Sequence, residues 1–135
     1  MNKLIKVKRR YLLFLLPLIV ATQCEEDELS SGFQTEYIIQ NDSNTNLILF
    51  REGFEQVVIE STSNYQLGSE LNQTTNEIAP SESLVFNSVK LYIEENENFI
   101  LIYNQDPIDD SLWEFSEPSE NRFTYRLTIT DANLD

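Results

Sequence analysis

The side chains that could do chemistry in this chain are mostly carboxylates. Its 135 residues include 23 Asp and Glu, one cysteine and no histidine. Ser-His-Asp and Cys-His sites are therefore excluded, as are zinc sites built on histidine or several cysteines. Three glycines leave no room for a phosphate-cradling loop. Two carboxylates can hydrolyse a glycosidic bond, but in so acidic a chain pairs arise by chance. We predict that the protein is not an enzyme, with a small carboxylate-based hydrolase as the remaining alternative.

A group of aspartates offers the best place for a hard cation. Asp106, Asp109 and Asp110 lie close together in one polar segment. Calcium takes six to eight oxygen ligands, and three carboxylates with backbone carbonyls could supply most of them. The spacing differs from that of an EF-hand loop, and a solvated turn shaped by Pro107 explains the same residues. We predict no metal and no cofactor, and we keep calcium at this loop as the alternative.

Three aromatic residues flank that acidic segment: Tyr103, Trp113 and Phe115. Aromatic faces beside carboxylate acceptors could form a platform for sugar rings, so these residues are candidate ligand-binding residues. The alternative is structural, because a lone tryptophan in a small β-domain usually belongs to the core.

The N-terminal region predicts export. Five of the first ten residues are basic, an apolar run spans residues 11–21, and the single cysteine is Cys24. Eleven residues interrupted by Pro17 are too few to cross a bilayer, which takes about 20. A positive start followed by a short apolar run is typical of a secretory signal. We therefore predict a signal peptide, with its signal helix, over residues 1–23.

The residues around the cysteine resemble a known processing site. Val20-Ala21-Thr22-Gln23-Cys24 is similar to the lipobox of bacterial lipoproteins, although Ala21 and Gln23 stand where a large aliphatic and a small residue are usual. Lipoproteins of Bacteroidetes tolerate such a loose box. The resemblance implies cleavage before Cys24, acylation of its thiol and an outer-membrane location. An acidic run follows, and it resembles the group's export tag for the cell surface: Glu25, Glu26, Asp27 and Glu28. An ordinary secreted protein with a free cysteine is the alternative.

Removal of the signal makes the charge strongly negative. The first 23 residues hold five of the nine basic side chains and none of the 23 acidic ones, so residues 24–135 keep four basic side chains. Such a chain repels nucleic acid and anionic lipid headgroups. We expect no nucleic-acid partner, and contact with the membrane only through the lipid anchor.

The remaining chain predicts strands. Residues 24–34 are a lipidated acidic tether without periodicity, and residues 35–135 hold short apolar runs between polar turns. The first continuous runs, such as 47–50, indicate strands covered on both faces or lying centrally in a sheet. We predict an all-β domain, a single antiparallel β-sandwich that is immunoglobulin-like in outline, with a barrel as the alternative. Predicted strands cover 37–39, 47–50, 56–60, 84–86, 89–94, 99–103, 112–115 and 123–130, with a polar loop over 61–77.

Three segments (87–93, 103–107 and 123–131) resemble a recurring pattern in small Bacteroidetes lipoproteins of unassigned function, which implies fold and location but no activity. We therefore expect a surface lipoprotein whose sandwich binds a partner protein or a glycan. The alternative is a structural subunit of an envelope complex. A binder should gather exposed aromatics on one face or near Trp113, and a subunit should expose an apolar sheet face.

Overall fold

The computed structural model describes residues 32–51, 53, 55–73 and 76–134. The predicted signal peptide and signal helix, Cys24 and the acidic residues 25–28 lie outside the described residues.

Eight strands form two four-stranded sheets, which confirms the predicted β-sandwich. Sheet A has the order β4-β1-β8-β7, and sheet B has the order β3-β2-β5-β6. The strands are β1 (Phe33–Asn41), β2 (Leu47–Phe50), β3 (Gln56–Ile59), β4 (Ser63–Asn72), β5 (Val89–Glu95), β6 (Asn98–Gln105), β7 (Trp113–Ser119) and β8 (Arg122–Ile129). Short 3-10 helices cover Pro80–Glu82, Asp110–Leu112 and Asp131–Asn133. In the described part of the chain, no helix is long and apolar enough to cross a bilayer.

The core lies between the inner faces of the two sheets. Alternate residues of β1 and β8 point inward, which confirms the predicted alternation in the last strand. Sheet B faces them with alternate apolar residues of its own strands. The buried cluster consists of Tyr37, Ile39, Leu47, Leu49, Ile59, Leu67, Val89, Leu91, Trp113, Leu127 and Ile129.

One pairing differs from the expected antiparallel arrangement. β1 and β8 run parallel, in register from Gln34 opposite Arg122 to Asn41 opposite Ile129. Strands joined by a tight turn must be antiparallel, whereas the first and last strands of a sandwich have no such constraint. Sheet A is therefore mixed, while the described strands of sheet B pair antiparallel.

The predicted loop over 61–77 is wrong, because β4 occupies most of it. Its nine residue pairs with β1 hold it at the edge of sheet A. Tyr65 and Leu67 pack on the core, and Gln66 between them faces solvent. An edge strand with one wet face needs few apolar residues, so its pattern resembled that of a loop.

The predicted strand over 84–86 is also wrong. Leu84 is 95% exposed, and this segment makes no ladder. Instead, the ring of Phe86 stacks on Trp113 with centroids 5.6 Å apart and meets Tyr37 edge-on at 5.1 Å. Val85 and Phe86 therefore serve as a cover over Gly68 and the core and do not form a strand, while Leu84 faces solvent.

Candidate functional site

The structure does not bring the three predicted aromatics into one exposed platform. Trp113 is 5% exposed, and its indole Nε1 donates a 3.1 Å hydrogen bond to Gln105 Oε1. Tyr103 packs against the core, and its hydroxyl accepts a 2.6 Å bond from Gln105 Nε2. Burial raises the pKa of Tyr103. Phe115 is about half-exposed and touches Tyr125, with ring centroids 5.2 Å apart. Trp113 is thus a core residue, which was the alternative to a platform for sugar rings.

The three aspartates each have a separate partner. Asp109 caps a 3-10 helix by accepting bonds from the amide and hydroxyl of Ser111, and these bonds lower its pKa. Asp110 accepts from the amide and hydroxyl of Ser81 at 2.8 and 2.6 Å. Asp106 forms an ion pair with Lys90 at 3.1 Å. Over the described residues, no group of three or more acidic, histidine or cysteine side chains could hold a metal ion.

A row of apolar side chains crosses the outer face of sheet B. Val58 of β3 lies opposite Ile48 of β2, Ile48 lies opposite Tyr92 of β5, and Tyr92 lies opposite Leu101 of β6. Ile48 points away from the core, because its neighbours Leu47 and Leu49 belong to the buried cluster. Ile48 is nevertheless only 5% exposed. The row therefore forms a continuous apolar contact across all four strands.

Two phenylalanines enlarge this row. The ring of Phe50 lies 5.3 Å from Tyr92 and 5.0 Å from Phe99, at interplanar angles of 71° and 85°. Val58, Phe99 and Leu101 are each about half-exposed, and Phe50 is slightly less so. We call the six residues the outer apolar face: Ile48, Phe50, Val58, Tyr92, Phe99 and Leu101.

The outer face of sheet A has a different chemistry. Its corresponding row runs from Gln66 through Ile38 and Arg126 to Glu114. The Arg126 guanidinium also donates to Gln40 Oε1 at 3.0 Å. A sandwich needs only its inner faces to be apolar, and sheet A follows that rule. Sheet B departs from it, so its apolar outer side calls for a separate explanation.

Carboxylates lie at both ends of β6. Glu94, Glu95 and Glu97 are exposed around the turn that precedes the strand. Asp106, Asp109 and Asp110 are exposed beyond its other end. Lys90 offsets Asp106, and the other carboxylates keep this side of the molecule negative.

One depression borders the outer apolar face, and another reaches the core side of sheet B at Leu49 and Leu67. The first, of about 600 Å³, adjoins Ile48 and Val58 and is bounded by the turn over 44–46. The other, of about 450 Å³, lies beside Phe50 and is lined in part by Arg51 and Glu55. Each has one carboxylate among its described lining residues. Neither supplies the pair of facing carboxylates that a glycosidase requires.

Comparison of the chain with protein-family models, with curated proteins and with solved structures finds no match.

Sequence reasoning missed the outer apolar face, although a signal for it was present. The continuous apolar run over 47–50 predicted a strand covered on both sides or lying centrally in a sheet, and the run over 99–103 predicted an antiparallel strand. In the structure, the central β2 buries the outward-pointing Ile48, which is 5% exposed, whereas Phe99 and Leu101 on the outer side of β6 are each 45% exposed. Continuous runs in a small antiparallel sheet therefore also indicate an exposed apolar surface.

Proposed function

We propose that this protein is a non-catalytic docking module for a partner protein, held outside the cell by a lipid on Cys24. The outer apolar face carries the proposal. A contiguous exposed apolar surface with a polar rim is typical of a protein-interaction site. In water such a surface has a free-energy cost, which burial against a partner removes at about 25 cal/mol per Å².

The geometry favours a protein over a glycan. A sugar ring packs on a flat aromatic face, whereas Phe50 meets Tyr92 and Phe99 edge-on. Aliphatic side chains from β2, β3 and β6 make up the rest of the surface. Mixed aromatic and aliphatic surfaces of this kind resemble the cores of protein interfaces.

A structural subunit of an envelope complex is the second candidate, because an exposed apolar sheet face was expected of a subunit, while the exposed Phe50 and Phe99 on that face meet the expectation for a binder. The two candidates share a protein as the occupant and differ in its residence time. A chain that is isolated alone in nonionic detergent supports transient docking, and one that always co-purifies with its partner supports the subunit.

The membrane anchor belongs to the same proposal. The lipobox resemblance and the acidic run after Cys24 support a surface lipoprotein. Each methylene buried in the bilayer contributes about 0.8 kcal/mol, so two or three acyl chains hold the domain firmly. The negative domain gains nothing from anionic headgroups, so the outer apolar face remains available to a protein.

Site-specific photo-crosslinking in native envelopes tests the docking function. A photoreactive phenylalanine analogue replaces Leu101 in one variant and Arg126, on the outer face of sheet A, in the matched control. We expect the first variant to yield one dominant crosslinked protein that is absent from the control, and Val58→Asn on the first variant to reduce the yield. Equal crosslinking from both faces, no protein adduct, or an adduct that is a glycan would contradict the proposal.

A further inference from the structure

We propose that the partner docks by adding a strand to the free edge of β6, and that this strand is apolar in its middle and basic at both ends. The inference rests on the proposed docking function, and it names the chemistry of the segment that binds.

β6 is an edge strand with little of the usual protection, since its one irregularity is the slip in its pairing with β5 between Leu101 and Tyr103. It is the last strand of sheet B, so β5 pairs with one side of it and, within the described residues, no strand pairs with the other. Its eight residues include no charged side chain and no proline. Proteins normally place charges, prolines or bulges on such edges to prevent further strand pairing.

The other edges of the sandwich have such protection. β7 carries Glu114, Glu117 and Pro118, and β4 carries the inward-pointing Glu70, which accepts a bond from the Tyr37 hydroxyl. β3 is only four residues long. β3 is also uncharged but has half the length of β6, so the long, uncharged edge of β6 is the best suited of the four edges to pairing with a partner.

The exposed side chains of β6 suit strand addition on both sides of the sheet. Phe99, Ile100 and Leu101 are each 42 to 45% exposed. Consecutive residues of a strand point to opposite faces, so an added strand meets apolar neighbours on each face. The pairing with β5 slips once, between Leu101 and Tyr103, and the regular part of the edge is therefore Asn98–Leu101.

The charges at the ends of β6 indicate the chemistry of the partner. A strand laid along the whole of β6 places one of its ends near Glu94, Glu95 and Glu97 and the other at Gln105, after which the chain carries the exposed Asp109 and Asp110. Lysine or arginine at the ends of that strand would complement these carboxylates.

The same charges disfavour a second copy of this chain. Antiparallel pairing of two β6 strands would bring the glutamates of one copy against the aspartates of the other. Without residues 1–23 the chain has four basic and 23 acidic side chains, a net charge of 4 − 23 = −19, so two copies also repel each other at longer range.

The turn before β6 supports a role for its charge. Asn96 and Glu97 have φ values of 51° and 65°, in the left-handed region. A two-residue hairpin turn with this backbone favours glycine at its second position. Glu97 instead places a carboxylate there, next to the exposed edge.

Two synthetic peptides test the inference on the full lipidated chain in nonionic detergent. Both contain Thr-Val-Thr-Ile-Thr-Val, and the first has two lysines at each end whereas the second has two glutamates. We expect the lysine peptide to bind at least tenfold more tightly and to slow hydrogen exchange of β6 amides. A lysine peptide that binds without protecting β6 would overturn strand addition, because contact with the acidic surface alone leaves the amides exposed.

Charge variants give the matched control. Glu97→Gln should weaken the lysine peptide several-fold, and Glu117→Gln, which removes the same charge at the β7 edge, should leave it unchanged. Equal binding of the two peptides, no binding of either, or equal effects of the two variants would overturn the inference. Crosslinking from position 101 is independent of these peptides. A crosslinked protein without peptide binding would support the proposed docking face and overturn strand addition at β6.

Discussion

At the scale of single residues, Glu97 combines backbone strain with charge. Its φ of 65° places a Cβ where the left-handed backbone tolerates it poorly. We expect Glu97→Gly to raise the free energy of unfolding by about 0.5–1 kcal/mol, because glycine has no such strain. Urea unfolding at neutral pH measures the change.

Glu95→Gly is the control for that substitution. Glu95 ends β5, where an extended backbone offers glycine no advantage, so the same loss of charge should lower stability by about 0.5–1 kcal/mol. If both variants were stabilised, relief of charge repulsion and not of strain would be the cause.

Tyr37 links stability to alkaline pH. Burial raises its pKa above the ordinary value of 10.0, and Glu70, which accepts its hydrogen bond at 2.7 Å, raises it further. Above about pH 10 the unfolded chain loses this proton while the folded chain keeps it. The free energy of unfolding should therefore fall as the pH rises, by up to about 1.4 kcal/mol per pH unit for this group.

Urea unfolding between about pH 9 and pH 11 tests this dependence. Tyr37→Phe should remove much of the dependence of the free energy of unfolding on pH. Part of the dependence should remain, because burial also raises the pKa values of Tyr103 and Tyr125. A slope identical in Tyr37→Phe and the unsubstituted chain would assign the effect to other groups.

Among the secondary-structure elements, a strand could be predicted from the sequence when its own residues showed which of its faces is buried. β8 was predictable because alternation from Phe123 to Ile129 reports one buried and one wetter face. β4 was hidden, because an edge strand packed through Tyr65 and Leu67 alone carries too few apolar residues. The apolar residues at 84–86 were misassigned, because a cover segment and a buried strand have the same composition.

The same limit applies to the candidate site. Sequence can show that Phe99, Ile100 and Leu101 are apolar, but whether anything covers them depends on the sheet order. A core position for Trp113 followed from the sequence only as the alternative to a sugar platform, because its hydrogen-bond partner Gln105 lies eight residues away on another strand. Sites formed across strands need the register, which a single sequence does not provide.

The packing of Val85 over Gly68 of β4 leads to a prediction about stability. A Cβ added at Gly68 would collide with Val85 Cγ1, and a β-branched side chain has little freedom to move aside. We expect Gly68→Ala to lower the free energy of unfolding by about 1–3 kcal/mol. Thermal and urea unfolding measure the loss.

Val85→Ala supplies the rescue for that variant. Val85 is partly exposed, so its truncation alone should cost little, and the double variant should recover most of the stability of the unsubstituted chain. A double variant as unstable as Gly68→Ala would place the strain in the backbone.

At the scale of the whole molecule, the proposed anchor and docking face act separately. Cys24→Ala removes the only thiol, so the protein should move from the membrane fraction to the soluble fraction of the envelope. Fractionation followed by immunoblotting measures the shift. Val58→Asn, which alters the outer apolar face only, should stay with the membrane. Retention of Cys24→Ala in the membrane would argue against lipidation.

The parallel pairing of β1 with β8 bears on how the molecule carries mechanical load. β1 follows the predicted tether and is bonded on both sides, to β4 and to β8, along nearly its whole length. Tension from an attachment upstream therefore enters a central strand whose ladder bonds lie across the direction of pull. These hydrogen bonds must break together under shear instead of one at a time, so we expect the sandwich to unfold slowly under a pulling force.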